Sequence, residues 1–158
     1  MKHSNVHFFC LGCIFLFLNS LSCIKDKQNI FPYVYVNFTI NINTDPEFIR
    51  LQAQGNYQQI FYNTIGYTSL GYGNNGIIVY NAAGGSFYAF DATCPYDLPE
   101  INGVIPTTTE GVVECPKCHS RYVLSGSGMP TTKGPASYPL HEYNAFYNLN
   151  TGEINVRN

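Results

Sequence analysis

The sequence predicts an all-β protein built from short antiparallel strands joined by tight turns. Apolar and polar residues alternate from Val34 to Ile42, which is the period of a half-buried strand. Further along the chain, short runs of β-branched and aromatic residues are separated by turns rich in glycine and asparagine. No stretch keeps a helical period over several turns. Together these observations favour an all-β fold.

The first half of the predicted domain contains one strand and several less certain segments. Asp45 and Pro46 end the strand that begins at Val34. Residues 47–53 fit a short helix or a strand equally well, and residues 57–62 are rich in β-favouring side chains. Residues 66–76 carry four glycines and two asparagines, which predicts a turn-rich loop.

Two hairpins are predicted in the second half. Residues 76–80 and 87–91 are short apolar strands, and the sequence N-A-A-G-G-S between them is typical of a hairpin turn. Residues 143–149 and 153–156 flank N-T-G, which predicts a second hairpin near the C-terminus.

The N-terminus predicts an exported, lipid-anchored protein. Residues 8–18 form an uncharged apolar run that is too short to cross a bilayer but typical of a secretory signal. Ser22 directly precedes Cys23, and this resembles the cleavage site of bacterial lipoproteins. We therefore expect a signal peptide over residues 1–22, a lipid on Cys23 with a tether over residues 23–33, and a β-domain over residues 34–158. The expected location is the cell envelope, anchored to a bacterial membrane; an ordinary cleaved signal or a short hydrophobic anchor is the alternative.

Composition and motifs argue against several functional classes. The formal net charge is −2 and the chain has no basic run, so nucleic-acid binding has no electrostatic support. There is no nucleophile–base motif, no recognisable carboxylate pair and no phosphate-binding loop. We do not expect an enzyme.

Three cysteines of the predicted domain fall in two short segments. Cys115 and Cys118 form C-P-K-C, a spacing at which two sulfurs can bind one metal ion. Cys94 lies in another turn-like segment, which would supply the remaining ligands. Three thiols in an exported protein cannot all pair as disulfides, which is a further reason to consider a metal centre.

These segments resemble the two ligand loops of the Rieske domain, which read C-x-H and C-x-x-H. The first loop would be Cys94-Pro95-Tyr96 and the second Cys115-Pro116-Lys117-Cys118, with 18 residues between them. The flanking sequences F-Y-A-F-D before the first loop and S-R-Y after the second also resemble the family. So do G-P-A, P-L and a tyrosine further along, and the resemblance covers residues 76–156.

The resemblance implies stacked sheets with the two cysteine loops at one tip. It also implies a [2Fe–2S] cluster bound by Cys94, Cys115 and Cys118, with Tyr96 or His119 completing the ligand set. Tyr96 and Cys118 stand at the two positions where the family has histidine. Ser120 and Tyr122 match positions that hydrogen-bond the cluster sulfurs. The implied function is a membrane-tethered electron-transfer module that exchanges one electron with a redox partner protein.

Other interpretations of the same residues stay open. The three cysteines with His119 could form a zinc site that is structural and redox-silent. The domain could instead be cofactor-free, a structural or binding protein with a disulfide between Cys94 and one second-loop cysteine. Cys115 and Cys118 could act as a dithiol, or, with His119, as a c-type haem attachment motif.

Overall fold

The computed structural model describes residues 31–61 and 70–158, and in this part of the chain the fold is antiparallel β throughout. Short 3-10 segments at 46–52, 72–74, 83–85 and 124–126 connect the strands. The strands are β1 (Asn37–Asn41), β2 (Tyr57–Ile60), β3 (Ile77–Asn81), β4 (Phe87–Asp91), β5 (Ile105–Pro106), β6 (Val112–Glu114), β7 (Arg121–Val123), β8 (Met129–Pro130), β9 (Glu142–Asn148) and β10 (Glu153–Arg157).

Six of these strands form the larger sheet, in the order β1-β10-β9-β4-β3-β2. β1 pairs with β10 over its whole length, with Phe38 opposite Val156. β4 joins the two halves of the sheet through only two pairs with β9, Ala89 with Tyr143 and Phe90 with Glu142. The two halves of the large sheet are therefore joined by fewer residue pairs than any other neighbouring strands of that sheet.

The other four strands form a small sheet in the order β5-β6-β7-β8. Each of these strands is only two or three residues long, and the longest pairing, between β6 and β7, has three residue pairs. So few ladder positions give this sheet little stability of its own. It depends on packing and on its loops.

Two apolar clusters lie on opposite faces of β3 and β4. One joins side chains of β1, β3, β4 and β10 with those of the 46–52 segment, and among them are Phe38, Phe48 and Val79. The other lies between β3 and β4 and the small sheet, and it includes Phe90 and Tyr122. Cys94 and Cys115 belong to this second cluster, so the cysteine loops are part of the packing between the two sheets.

The all-β prediction is confirmed, as are the strand at the start of the domain and both hairpins. The ambiguous residues 47–53 form a 3-10 segment that buries Phe48 and Leu51, three positions apart. The signal peptide, Cys23, most of the tether and residues 62–69 lie outside the described residues. No helical segment of the described ranges is long and apolar enough to cross a bilayer.

Candidate metal centre

The first cysteine loop follows β4, and hydrogen bonds of Asp91 and Cys94 hold its start in place. Asp91, the last residue of β4, is fully buried and accepts hydrogen bonds from the main-chain N–H groups of Tyr72 and Thr93, at 2.7 and 2.8 Å. The Tyr143 hydroxyl donates to the same carboxylate at 2.9 Å. Three residues on, the Cys94 N–H donates to the Asn102 carbonyl at 2.8 Å. These contacts fix the position where the loop leaves the sheet.

The second loop is the tight turn between β6 and β7. The Cys115 N–H donates to the Ser120 carbonyl, and the His119 N–H donates back to the Cys115 carbonyl, both at 2.9 Å. His119 has a left-handed main chain, with φ of 60°, at the point where the chain reverses. Cys115 and Cys118 therefore lie on one short, closed turn.

Four potential metal ligands from the two loops converge, namely Cys94, Asp97, Cys115 and Cys118. Their ligand atoms all lie within 4.8 Å of one another. The Sγ atoms of Cys94 and Cys118 are 3.6 Å apart, and Cys115 Sγ is 2.9 Å from an Asp97 carboxylate oxygen. Each loop thus supplies two ligands, and the two pairs face each other.

Both loops present their first cysteine to main-chain donors in the same way. The N–H groups of Tyr96 and Asp97 donate toward Cys94 Sγ, and those of Lys117 and Cys118 donate toward Cys115 Sγ. Donors two and three residues beyond each cysteine stabilise a thiolate there. The shared geometry matches a shared sequence, C-P-x followed by a ligand, which is aspartate in the first loop and cysteine in the second.

Two buried hydroxyl groups complete the surroundings of the sulfurs. The Tyr122 hydroxyl lies 3.2 Å from Cys94 Sγ, and Ser120 Oγ lies 3.3 Å from Cys118 Sγ. Ser120 Oγ also accepts a hydrogen bond from the Ala136 N–H at 3.0 Å, which ties the 134–136 loop to the site. These are the two residues that the resemblance to Rieske loops implies beside the sulfurs.

Burial controls the protonation of the thiols. Burial raises the pKa of Cys94, against the lowering effect of the Tyr122 hydroxyl and the main-chain donors. Burial also raises the pKa of Cys115, and its hydrogen bond to Asp97 raises that pKa further. Without a metal, both sulfurs are therefore protonated at neutral pH, and a metal ion must displace their protons to bind. Burial likewise raises the pKa of Tyr122, so the phenol keeps its proton and can donate it.

His119 is not one of the four converging ligands. The His119 side chain is 68% exposed, with Nδ1 3.2 Å from a Glu114 carboxylate oxygen. Tyr96 is 51% exposed. Glu114 also binds Arg121 and Lys133, and these cations hold its carboxyl pKa at about 2, with Arg121 the largest contributor. His119 is part of a surface charge network on the outside of the second loop.

The donor set fits one metal ion better than a two-iron cluster. At a metal–sulfur distance of 2.3 Å, two thiolates on one tetrahedral ion lie about 3.8 Å apart. The separation of Cys94 and Cys118 is 3.6 Å. Ligands on opposite irons are separated in addition by the width of the iron–sulfide core, and that arrangement does not match four donors within 4.8 Å. No histidine belongs to the group, whereas a Rieske cluster has two.

Asp97 is the one of the four converging residues that is not among the ligands predicted from the sequence. The signal for it was present, because C-P-Y-D and C-P-K-C place a metal-binding side chain three residues after each cysteine. In the Rieske pattern C-x-H the second ligand lies two residues after the cysteine, a position that Tyr96 occupies here.

No protein-family model matches the chain, and no curated protein gives a significant match.

Proposed function

We propose that this domain binds a single metal ion, zinc, through Cys94, Asp97, Cys115 and Cys118, and that the ion has a structural role. The observation that carries the proposal is the convergence of four ligand atoms within 4.8 Å from two separate loops. Three thiolates and one carboxylate are ligand types that zinc accepts in a tetrahedral arrangement.

A closed ligand set supports a structural role over a catalytic one. Catalytic zinc sites keep one position open for water or substrate, whereas here the protein supplies all four ligands. Cys94 and Cys115 are both fully buried, so solvent has little access to the ion from their side. The site offers no place for a substrate to bind the metal.

The small sheet explains why such an ion would matter. Its strands are two or three residues long, and the second cysteine loop is the turn between β6 and β7. The first loop follows β4 of the large sheet. A metal bound by both loops therefore connects the two sheets at one point and restricts the opening of a sheet with few hydrogen bonds.

Electron transfer is the second candidate, and the hydrogen bonds to the sulfurs favour it. Hydrogen-bond donors to a thiolate sulfur tune the reduction potential of an iron centre. The Sγ atom of Cys94 lies 3.2 Å from the Tyr122 hydroxyl and has two main-chain donors in addition. In that case one iron ion, or a [2Fe–2S] cluster in a rearranged site, would exchange electrons with a redox partner protein through the loop tip.

The metal content of the purified protein separates these functions. The full chain is purified anaerobically, and metals, labile sulfide and free thiols are measured with the visible spectrum. We expect one zinc per chain and a colourless protein. One iron with thiolate-to-iron absorption, or two irons with two sulfides, would replace the structural proposal with electron transfer. A metal-free protein with a disulfide among the three cysteines would overturn both.

We further propose that the domain is exported and anchored to a membrane of the cell envelope by a lipid on Cys23. The support is the short apolar run of residues 8–18 and the serine directly before this cysteine. Cys23→Ser is expected to move the protein from the membrane fraction to the soluble fraction. A Cys23→Ser protein that stays in the membrane fraction would exclude the lipid anchor.

A further inference from the structure

The four converging ligands fall into two contacting pairs, and each pair joins the two cysteine loops. The Sγ atoms of Cys94 and Cys118 lie 3.6 Å apart. Cys115 Sγ lies 2.9 Å from a carboxylate oxygen of Asp97. Each pair has one member in the loop that follows β4 and the other in the turn between β6 and β7. Both contacts therefore connect the large sheet to the small one, in addition to the link that a shared ion would provide.

The two members of the sulfur pair differ in their access to solvent. Cys94 is fully buried, whereas Cys118 is partly exposed in the turn. The reaction of a cysteine with peroxide depends on its thiolate character and on its exposure. A zinc ion binds cysteine as the thiolate, so all three cysteines are thiolates in the zinc-bound domain. Cys118 is then the cysteine that peroxide in solution reaches first.

We propose that this metal centre is a peroxide-sensitive switch, in which oxidation joins Cys94 to Cys118 in a disulfide and releases the ion. The inference rests on the zinc site proposed above. To form the disulfide, the two sulfurs must approach by about 1.5 Å, from the contact distance of 3.6 Å to the S–S bond length of about 2.05 Å. Cys115 is the other cysteine of the turn, but its sulfur contacts the Asp97 carboxylate.

The reaction consumes one hydrogen peroxide per chain. The Cys118 thiolate attacks one peroxide oxygen, so a sulfur–oxygen bond forms, the O–O bond breaks, and hydroxide leaves and takes up a proton to become water. The Cys94 thiolate then attacks the sulfur of this sulfenic acid, so the S–S bond forms, the S–O bond breaks, and a second hydroxide leaves as water. The two sulfurs together lose the two electrons that peroxide gains. Zinc is released because two of its four ligands are then oxidised.

The oxidised domain keeps a connection between its two sheets. The disulfide replaces the ion as the link between the loop after β4 and the turn between β6 and β7. Cys115 takes up a proton when the ion leaves, because burial and the hydrogen bond to Asp97 raise its pKa, and its thiol then donates to the Asp97 carboxylate. The ion is therefore released while the small sheet stays attached.

The test starts from the full chain, reduced under anaerobic conditions and loaded with zinc. Hydrogen peroxide is added, and released zinc is measured with a chromogenic chelator. We expect the loss of one zinc per chain, a β-sheet circular dichroism spectrum that stays folded, and renewed zinc binding after reduction with dithiothreitol. A reduced chain that binds no zinc contradicts the proposed function. Zinc that binds but stays bound in peroxide, or that leaves as the domain unfolds, overturns the switch alone.

Mass spectrometry of the oxidised wild type identifies the disulfide. Trypsin cleaves after Lys117, between Cys115 and Cys118, and a glutamate-specific protease cleaves after Glu100, between Cys94 and Cys115. A digest with both proteases therefore places the three cysteines in separate peptides. We expect the peptides of Cys94 and Cys118 to be linked. A link within C-P-K-C, or oxidation of Cys118 to a sulfinic acid without any link, overturns the proposal.

Cys115→Asp and Cys118→Asp form a matched pair of variants. Each replaces one thiolate of the same turn with a carboxylate, which zinc also accepts, and each is expected to bind zinc more weakly than the wild type. Cys115→Asp keeps both members of the sulfur pair, so peroxide should still form the disulfide and release the zinc. Cys118→Asp lacks one member and should keep most of its zinc over the same time. Equal release from the two variants overturns the proposal, and the disulfide mapping in the wild type stays decisive if either variant does not fold.

Discussion

The sulfur atoms of Cys94 and Cys118 lie 3.6 Å apart although 24 positions separate the two residues in the chain. The distance exceeds the S–S bond length of about 2.05 Å and is close to that of two thiolates on one tetrahedral ion. Cys94 lies in the loop that follows β4 of the large sheet, and Cys118 lies in the turn between β6 and β7 of the small sheet. The contact between these two residues therefore links the large sheet to the small one.

Asp97 should be needed for tight metal binding. Asp97→Ala removes one of four ligands, and we expect the affinity for zinc to fall by more than about tenfold, since loss of even an outer-shell partner costs about that much. Competition with a chelator measures the change. Glu100→Ala is the control, because Glu100 lies in the same loop but pairs with Lys117 at the surface.

Asp97→Cys should retain the metal as a four-thiolate site. Cobalt substitution would then show stronger sulfur-to-cobalt absorption than in the wild type, because a fourth thiolate replaces an oxygen. Unchanged zinc affinity in Asp97→Ala, or unchanged cobalt absorption in Asp97→Cys, would show that Asp97 is not a ligand.

Tyr122 should stabilise the metal-free domain through its buried hydroxyl. Tyr122→Phe removes the group that lies 3.2 Å from Cys94 Sγ and leaves the ring packed, so the free energy of unfolding should fall by about 0.5–1.5 kcal/mol. Denaturant unfolding measures this value. Tyr96→Phe, at a residue that is 51% exposed, should change it by less than about 0.5 kcal/mol. Equal effects of the two substitutions would contradict the prediction.

Gly134 should be required for the 134–136 loop to pack on the second cysteine loop. A Cβ at this position would lie 2.4 Å from Ser120 Cα, and φ is +89°. Gly55 has the same φ and no atom within 4 Å, which makes Gly55→Ala a matched control for main-chain strain alone. Gly55→Ala should cost about 1–2 kcal/mol of unfolding free energy, and Gly134→Ala distinctly more. Similar costs would show that the clash with Ser120 is relieved easily.

Asp91 should make stability depend on pH. Burial raises its carboxyl pKa above the ordinary value of 3.8, although four hydrogen bonds act to lower it. The folded state therefore holds this proton at pH values where the unfolded chain has lost it. Stability due to this group is present below pH 3.8 and decreases as the pH rises toward the folded pKa.

Measuring the free energy of unfolding of the wild type and of Asp91→Asn as a function of pH tests whether the contribution of Asp91 decreases as the pH rises. Asparagine loses hydrogen bonds at every pH, so only the pH dependence of the difference is informative. The stability advantage of the wild type should shrink as the pH rises above 3.8. An advantage that grows over that range would show that the hydrogen bonds from Tyr72, Thr93 and Tyr143 outweigh burial.

The strands that could be predicted are those specified by local sequence. β1 has strict period-two alternation, and the β3–β4 and β9–β10 hairpins have turn residues between apolar runs. β5 and β8 could not be predicted, because each has two residues and exists only through pairing with β6 or β7. The 46–52 segment was ambiguous because Phe48 and Leu51 alone define its buried face.

The candidate site could be predicted in part, because local sequence also specifies some of its residues. The cysteine spacing and the flanking residues located Cys94, Cys115, Cys118, Ser120 and Tyr122, which the structure brings together. His119 adjoins Cys118 in sequence, but the left-handed turn leaves its ring beside Glu114. Which of two neighbouring residues enters a site depends on the main-chain turn, and residue type does not reveal it.

The pairing of β1 with β10 has a consequence for how the chain folds. Asn37 is opposite Arg157, so the first described strand finds its neighbour in β10, 120 positions further along the chain. A chain emerging from the ribosome cannot complete the large sheet until β10 has been synthesised, and closing so long a loop slows the search for the native pairing. Until then the apolar face of β1, with Phe38 and Ile40, is uncovered, and this is the period in which the protein most needs protection from aggregation.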